Sequence, residues 1–163
     1  MSLFLFLQKI KYKLKAKNRH GIHSPFVYDF VEKILNGRWP NRELRYFLFW
    51  KQAKLTSKQS LIIERIASYY DVHSIHFLGE TVEISTHNEG GKLDIYADPK
   101  QVLPNVNHHD IIIVLNPYSS ASQYIDWETL INKSSVSLSI DIYELGILFF
   151  REEFQVKQHF WLR

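Results

Sequence analysis

Histidine is the side chain best suited to chemistry in this chain, and six of its eight copies fall in three close pairs. The stretch "NRHGIHSPFVYDF", Asn18 to Phe30, carries His20 and His23 with Arg19 and Ser24 beside them. His73 and His76 lie three apart, and His108 and His109 adjoin. Such residues could hold a metal, relay a proton or activate a serine. Their spacing argues against each use. Two histidines supply too few ligands for zinc, and no third ligand is fixed near His20 and His23. His73 and His76 lie in or beside a strand, where such positions tend to face apart, and His108 and His109 are expected to diverge likewise. Ser119 or Ser120 follows a strand and reads as a helix cap rather than a nucleophile. No catalytic residue and no metal ligand is assigned, and no paired-carboxylate spacing stands out.

The elements that would position these groups are legible from periodicity. Leu3, Leu7, Ile10 and Leu14 recur at helical spacing over residues 2–17 and form one narrow apolar stripe, with lysines around the rest of the circumference. The stripe is expected to dock on the chain's own core. Ser24-Pro25 is a helix start, with serine as cap and proline where no amide bond is needed. Phe26, Val27, Phe30, Val31, Ile34 and Leu35 give that helix its buried face, which stops before Gly37. A third helix is expected from about Arg42 to Lys51. A fourth starts at Thr56, where Thr56 and Gln59 have capping-box spacing, and ends near Asp71.

After residue 71 the period changes. "SIHFLG" (Ser74–Gly79) reads as a buried strand. Val82 and Ile84, then Leu93 and Ile95, alternate around "HNEGG", which predicts a hairpin between those two runs. "DIIIVLNPY" (Asp110–Tyr118) is a β-branched run of the kind covered on both faces. A short helix is expected at Tyr124–Asn132, two strands around Tyr143–Gly146, and a last strand in "KQHFWLR". The fold class expected is α/β in a single domain, with residues 1–71 mainly helical and 72–163 forming the sheet part.

Charge and composition narrow the function classes. The net charge is +3, but residues 1–20 hold Lys9, Lys11, Lys13, Lys15, Lys17 and Arg19 and no acid. The rest of the chain carries fourteen basic and seventeen acidic side chains, so the basic character belongs to the N-terminal segment alone. There is no cysteine, which excludes disulfides, thiolate metal sites and cysteine nucleophiles. The apolar run Leu3–Leu7 precedes the lysines and is far shorter than a secretion signal or a bilayer span. A soluble, cytoplasmic protein is the expectation.

Two longer stretches carry a family resemblance. "KAKNRHGIHSPFVYDFVEKIL" (Lys15–Leu35) and "VSLSIDIYELGILFFREEFQVKQHFWLR" (Val136–Arg163) resemble the two ends of a compact bacterial branch of class I S-adenosylmethionine-dependent methyltransferases. "KQSLIIERIASYYDVHSIHFLGETVEIST" (Lys58–Thr86) is similar to that family's helix, first strand and cofactor loop. The resemblance implies a shortened Rossmann-like sheet with an N-terminal helical region and an antiparallel C-terminal hairpin. It also implies where a cofactor would sit: Gly79 at the end of the first strand, Asp98 near the adenine, and Asn116 where metal-using relatives place an aspartate.

The departures are in the same places. The family's first strand ends in Glu-x-Gly-x-x-x-Gly, whereas "FLGETVE" has Phe77 at the acid position and Glu83 at the second glycine, where a backbone should approach the ligand. Only 31 positions separate Gly79 from Asp110, too few for a further strand and its crossover helices. "LNPY" (Leu115–Tyr118) half matches an Asn-Pro-Pro-aromatic signature of amino-group methyltransferases and is equally a turn after a strand. The function expected is a methyltransferase-like domain that has lost cofactor binding and acts as a non-catalytic binding or scaffold protein toward a protein partner. Two alternatives stand beside it: an active S-adenosylmethionine-dependent enzyme with an atypical pocket, and a module that meets anionic membrane or nucleic acid through Lys9, Lys11, Lys13, Lys15, Lys17 and Arg19.

Overall fold

The computed structural model describes residues 3–17, 21–37, 55–77, 80–83, 91–102 and 106–163, with the backbone alone at 80–83. The expected helix at 42–51, His20 and Gly79 lie outside the described residues. The architecture is α/β, a seven-stranded mixed sheet with helices on both faces.

Helix α1 spans Leu3–Lys15. Helix α2 spans Pro25–Asp29 and runs on as a π-helical turn, Phe30–Leu35. Ser24 precedes it as expected, yet its side chain makes no cap bond; its backbone carbonyl instead accepts from Tyr28 N–H at 2.9 Å. Helix α3, Ser57–Tyr69, has the full capping box: Gln59 N–H donates to Thr56 Oγ1 (3.2 Å) and Thr56 N–H donates to Gln59 Oε1 (3.0 Å). Helix α4, Ala121–Ile131, is capped by Ser120, whose hydroxyl accepts from Gln123 N–H at 3.1 Å. That confirms the capping role expected for serine at this position.

The strands are β1 (Ser74–Phe77), β2 (Glu80–Glu83), β3 (Lys92–Tyr96), β4 (Ile111–Leu115), β5 (Leu138–Asp141), β6 (Leu145–Phe149) and β7 (Gln158–Trp161). Their order is β2-β1-β3-β4-β6-β5-β7. Strands β1, β3 and β4 are parallel neighbours; β6 is antiparallel to β4 and β5; β7 is parallel to β5. The C-terminal antiparallel hairpin is thus β5–β6.

One hairpin expectation is corrected. The run at 82–84 does not pair with 93–95. Strand β2 folds back on β1, with Phe77 opposite Glu80 and Ser74 opposite Glu83, and β1 lies between β2 and β3. The register follows from connection length. Two residues join β1 to β2, the length of a tight antiparallel turn, whereas eight residues separate β2 from β3. Burial of β1 on both sides then favours a parallel partner at its other edge.

Alternating side chains divide the core between the two sheet faces. Ile75, Leu93, Ile95, Ile113 and Ile147 pack with Val27, Phe30, Ile34, Ile63 and Ile66 from α2, its π-helical extension and α3. Ile112, Val114 and Leu148 pack with Trp127, Leu130 and Ile131 from α4. Every residue of β4 is buried, as its unbroken β-branched run requires. Two glycines are fixed by close approach. A Cβ at Gly146 would lie 2.4 Å from the Trp127 ring, and one at Gly91 would lie 1.9 Å from the His109 carbonyl oxygen.

Helix α1 overturns the expectation about its stripe. It docks through Gln8 and Tyr12, with Ala16 just past its end and Phe4 and Leu5 partly covered. The stripe itself faces out: Leu3 is 73% exposed, Leu7 46%, Ile10 41% and Leu14 82%. Aromatic and hydrogen-bonding partners on the sheet explain the choice. Tyr12 finds two carbonyl acceptors and two aromatic rings there, which an aliphatic stripe could not use.

Candidate functional site

In open α/β sheets, ligands bind in the crevice beyond the carboxyl ends of the strands. Strands β1, β3, β4 and β5 all end on one edge of this sheet, so the residues just past them form the candidate site. These are Phe77 at the end of β1, Asp98 beyond β3, Asn116 directly after β4, and Ile142–Tyr143 after β5.

Asn116 sits in the left-handed region with φ 48°, a conformation asparagine tolerates better than most residues. Its N–H donates to the Glu144 carbonyl at 2.9 Å. Its Oδ1 accepts from Gln59 Nε2 at 3.1 Å, and the same amide also reaches the Glu144 carbonyl at 3.3 Å. Lys58 and Glu144 pair at 3.4 Å above them. Asn116 therefore ties the start of α3 to the β5–β6 turn. Leu5, Asn116, Tyr118, Ser119, Tyr143 and Glu144 line a cavity of about 200 Å³ here. Pockets for drug-sized ligands run roughly 300–1,000 Å³, so this one holds little more than a few small groups.

Asp98 lies on the same edge but takes part in a turn. Its Oδ1 accepts from Lys100 N–H at 2.9 Å, capping the short 3₁₀ turn Pro99–Gln101. Lys100 in turn pairs with Asp126 of α4 at 3.3 Å. Phe77, at the position where the family resemblance asks for an acid, is buried in the core. Glu83 is not in a loop after β1 at all. It closes β2 opposite Ser74, at the amino end of β1, away from the candidate crevice. The expectation that it stands where the backbone should approach a ligand is corrected accordingly.

The strongest polar constellation on this edge was not singled out from the sequence. Asp141, the last residue of β5, is fully buried. Its Oδ2 accepts from Tyr118 O–H (2.5 Å) and from Trp127 Nε1–H (3.2 Å), and its Oδ1 accepts from Tyr143 N–H (2.9 Å). The Asp141 carbonyl accepts from Tyr12 O–H at 2.8 Å, and that hydroxyl also reaches the Leu162 carbonyl. The rings close around the acid: Tyr118 stacks on Tyr143 at 5.2 Å, and Tyr12 stands edge-on to Tyr118 at 5.6 Å and to Tyr143 at 5.2 Å. Tyr143 holds φ 68°, a strained backbone that the Asp141 bond and the ring stack maintain.

Electrostatics follow from burial. Desolvation pushes the Asp141 carboxyl up to about 7, against the pull of its three donors. Burial, reinforced by the Asp141 charge, raises the Tyr118 and Tyr12 hydroxyls far above their usual range, so both remain donors. A carboxyl with no exposed surface cannot reach a substrate proton. The arrangement locks α1, β5, α4 and the C-terminal strand together. The signal was available in "SLSIDIYELG": an acid inside an apolar strand run must be paired.

The two end segments that carry the resemblance meet in space. Lys17 forms a bridge with Leu162, its N–H donating to the Trp161 carbonyl at 2.8 Å. His23, Ser24 and Phe26 face Gln158, His159 and Phe160 across an open cleft of about 690 Å³. His159 packs edge-on against Trp161 at 4.0 Å with its Nδ1 on Ser139 Oγ, and burial lowers its pKa to about 4. The rings of His108 and His109 lie 4.1 Å apart rather than diverging as expected. Among the described residues, no three histidine or carboxylate side chains converge on a metal-sized space. No helix among them is long and apolar enough to cross a membrane.

No protein-family model, no curated protein and no solved structure matches the chain.

Proposed function

We propose that this chain is a methyltransferase-like domain that works without S-adenosylmethionine, as a non-catalytic binding or scaffold protein of the cytoplasm. The observation that carries the reading is the connection after β1. In dinucleotide-type sheets the first strand runs into a glycine turn and then a helix, whose N-terminus faces the ligand. Here β1 turns after two residues into antiparallel β2, with Phe77 opposite Glu80. Among the described residues, no helix N-terminus lies between β1 and β3 to receive the charged part of a cofactor.

Three further observations point the same way. Phe77 fills core space instead of offering a carboxylate to an amino group. The Asp98 side chain caps its own 3₁₀ turn, and that of Asn116 accepts from Gln59 of α3. The cavity beside Asn116 is small and roofed in part by Leu5 of α1. The sheet and the β5–β6 hairpin remain as a rigid platform, which is what a binding protein needs.

Isothermal titration of the full chain with S-adenosylmethionine tests the reading. The expected result is no saturable heat at millimolar cofactor. Micromolar, saturable binding that Gly79→Arg or Asn116→Ala abolishes would overturn it in favour of an active enzyme with an atypical pocket.

A further inference from the structure

The outward face of α1 has no packing partner among the described residues. Leu3, Phe6, Leu7, Ile10 and Leu14 cover an arc of about 100° on a helical wheel, opposite the docked residues Gln8 and Tyr12. These five make up half of the large apolar side chains that are exposed among the described residues, gathered on one helix of thirteen. Scattered surface leucines need no explanation, but a contiguous apolar line does.

Charge says what covers it. Lys9 and Lys13 border one edge of the stripe, and Lys11 and Lys15 border the other. All four are exposed, and α1 contains no acid. Lys9, Lys11 and Lys13 enter no ion pair among the described residues. An apolar centre between two cationic borders matches a surface with an apolar interior beneath anionic headgroups. A second copy of the same helix would set lysine borders against lysine borders. A nucleic-acid backbone would satisfy the lysines and leave five aliphatic or aromatic side chains against phosphate. A protein groove wraps a helix, whereas this one is held along its inner side by Tyr12 hydrogen-bonded to the Asp141 and Leu162 carbonyls. It offers a line of side chains to a plane.

We infer that α1, without leaving its own domain, is a docking face for an anionic lipid bilayer. The helix lies in the plane of the interface, with Leu3, Phe6, Leu7, Ile10 and Leu14 among the upper acyl chains and the lysines at the headgroups. This inference is independent of whether the sheet binds a cofactor.

Flotation of the full chain with vesicles tests it, comparing phosphatidylglycerol–phosphatidylcholine mixtures with phosphatidylcholine alone. Expected is co-flotation with the anionic vesicles that weakens as salt rises. Leu7→Asp with Ile10→Asp should abolish flotation while the melting temperature stays unchanged, because both side chains point away from the core. Lys9, Lys11 and Lys13 replaced by glutamine should lower partitioning by roughly a hundredfold, at about 1 kcal/mol per lysine near the surface. The inference is overturned by equal flotation with neutral vesicles, by no flotation at low salt, or by flotation that survives the double aspartate variant. It is equally overturned if an RNA or DNA duplex binds through the lysines with the aspartate variant unaffected. A dimer that the aspartates dissolve, with vesicles ignored, would overturn it as well.

Discussion

The two halves of the carboxyl edge of the sheet are finished in opposite ways. Past β4 and β5 the edge is filled: Asp141 is wrapped by Tyr118, Trp127, Tyr143 and Tyr12 of the first helix, which come from four separate segments. Past β1 and β3 the connections are short: two residues lead from β1 to the antiparallel β2, and Asp98 caps a 3₁₀ turn. On one half the space past the strands is occupied by side chains around Asp141. On the other, no helix among the described residues lies between β1 and β3. A fold that hosts many functions keeps its sheet while the loops decide what binds, and here the described side chains of Asp98 and Asp141 both bond within the chain.

The largest effect should come from the filled half. Tyr12→Ala removes a ring that stands edge-on to Tyr118 and Tyr143 and deletes both hydroxyl bonds, and should cost about 3–5 kcal/mol in chemical denaturation. A loss below about 1 kcal/mol would mean that α1 is an ornament on the cage rather than part of it. Gly146→Ala comes next, at about 3 kcal/mol, since its Cβ would fall 2.4 Å from a fully buried Trp127 ring.

Asp141→Asn should cost about 1–3 kcal/mol, because an amide can place its single oxygen toward Tyr118 and Trp127 only by turning its NH₂ on the Tyr143 N–H. The pH dependence sharpens this. The folded Asp141 carboxyl titrates at about 7, above its unfolded value, so the folded state holds the extra proton between roughly pH 4 and 7. Its contribution is complete at the acid end of that window and is lost as pH rises through 7. His159, lowered to about 4, acts in the opposite sense: the unfolded state binds the extra proton, and stability rises from about pH 4 to 6.5. The two slopes oppose each other in the wild-type chain. Asp141→Asn should therefore leave a protein whose stability climbs with pH over that range, measured as urea midpoints at fixed ionic strength. A wild-type and variant difference that is constant with pH would show that Asp141 does not titrate there.

Away from the Asp141 cluster the effects shrink. Asp98→Ala removes one exposed cap and should cost about 0.5–1 kcal/mol. Leu7→Asp, on the outward side of α1, should stay within about 0.5 kcal/mol of wild type. A loss of several kcal/mol for Leu7→Asp would mean that the stripe is buried after all.

Much of this fold could be read from the chain, and the exceptions share a cause. The capping box at Thr56, the buried run Ile111–Leu115 and the β5–β6 hairpin are local signals, each carried by adjacent residues. The side on which α1 docks is not local. Its apolar stripe has the stronger periodicity, yet Tyr12 wins the interior because its partners lie 129 and 150 residues away at Asp141 and Leu162. The pairing of β2 also depends on a neighbour's free edge, which the alternation of Val82 and Ile84 cannot report. Of the candidate site residues, Asp98 and Asn116 lie just past the ends of two neighbouring parallel strands, on one edge of the sheet. Asp141 was visible as an acid in an apolar run, but its tyrosine partners come from distant segments.

The most direct measurement is a residue-resolved one: amide chemical shifts of the labelled full chain during titration with S-adenosylmethionine. If the carboxyl edge is closed as described, the amides of Ala97, Asp98, Asn116 and Ser119 stay where they are at millimolar cofactor. Saturable shifts clustered at those four positions would contradict it.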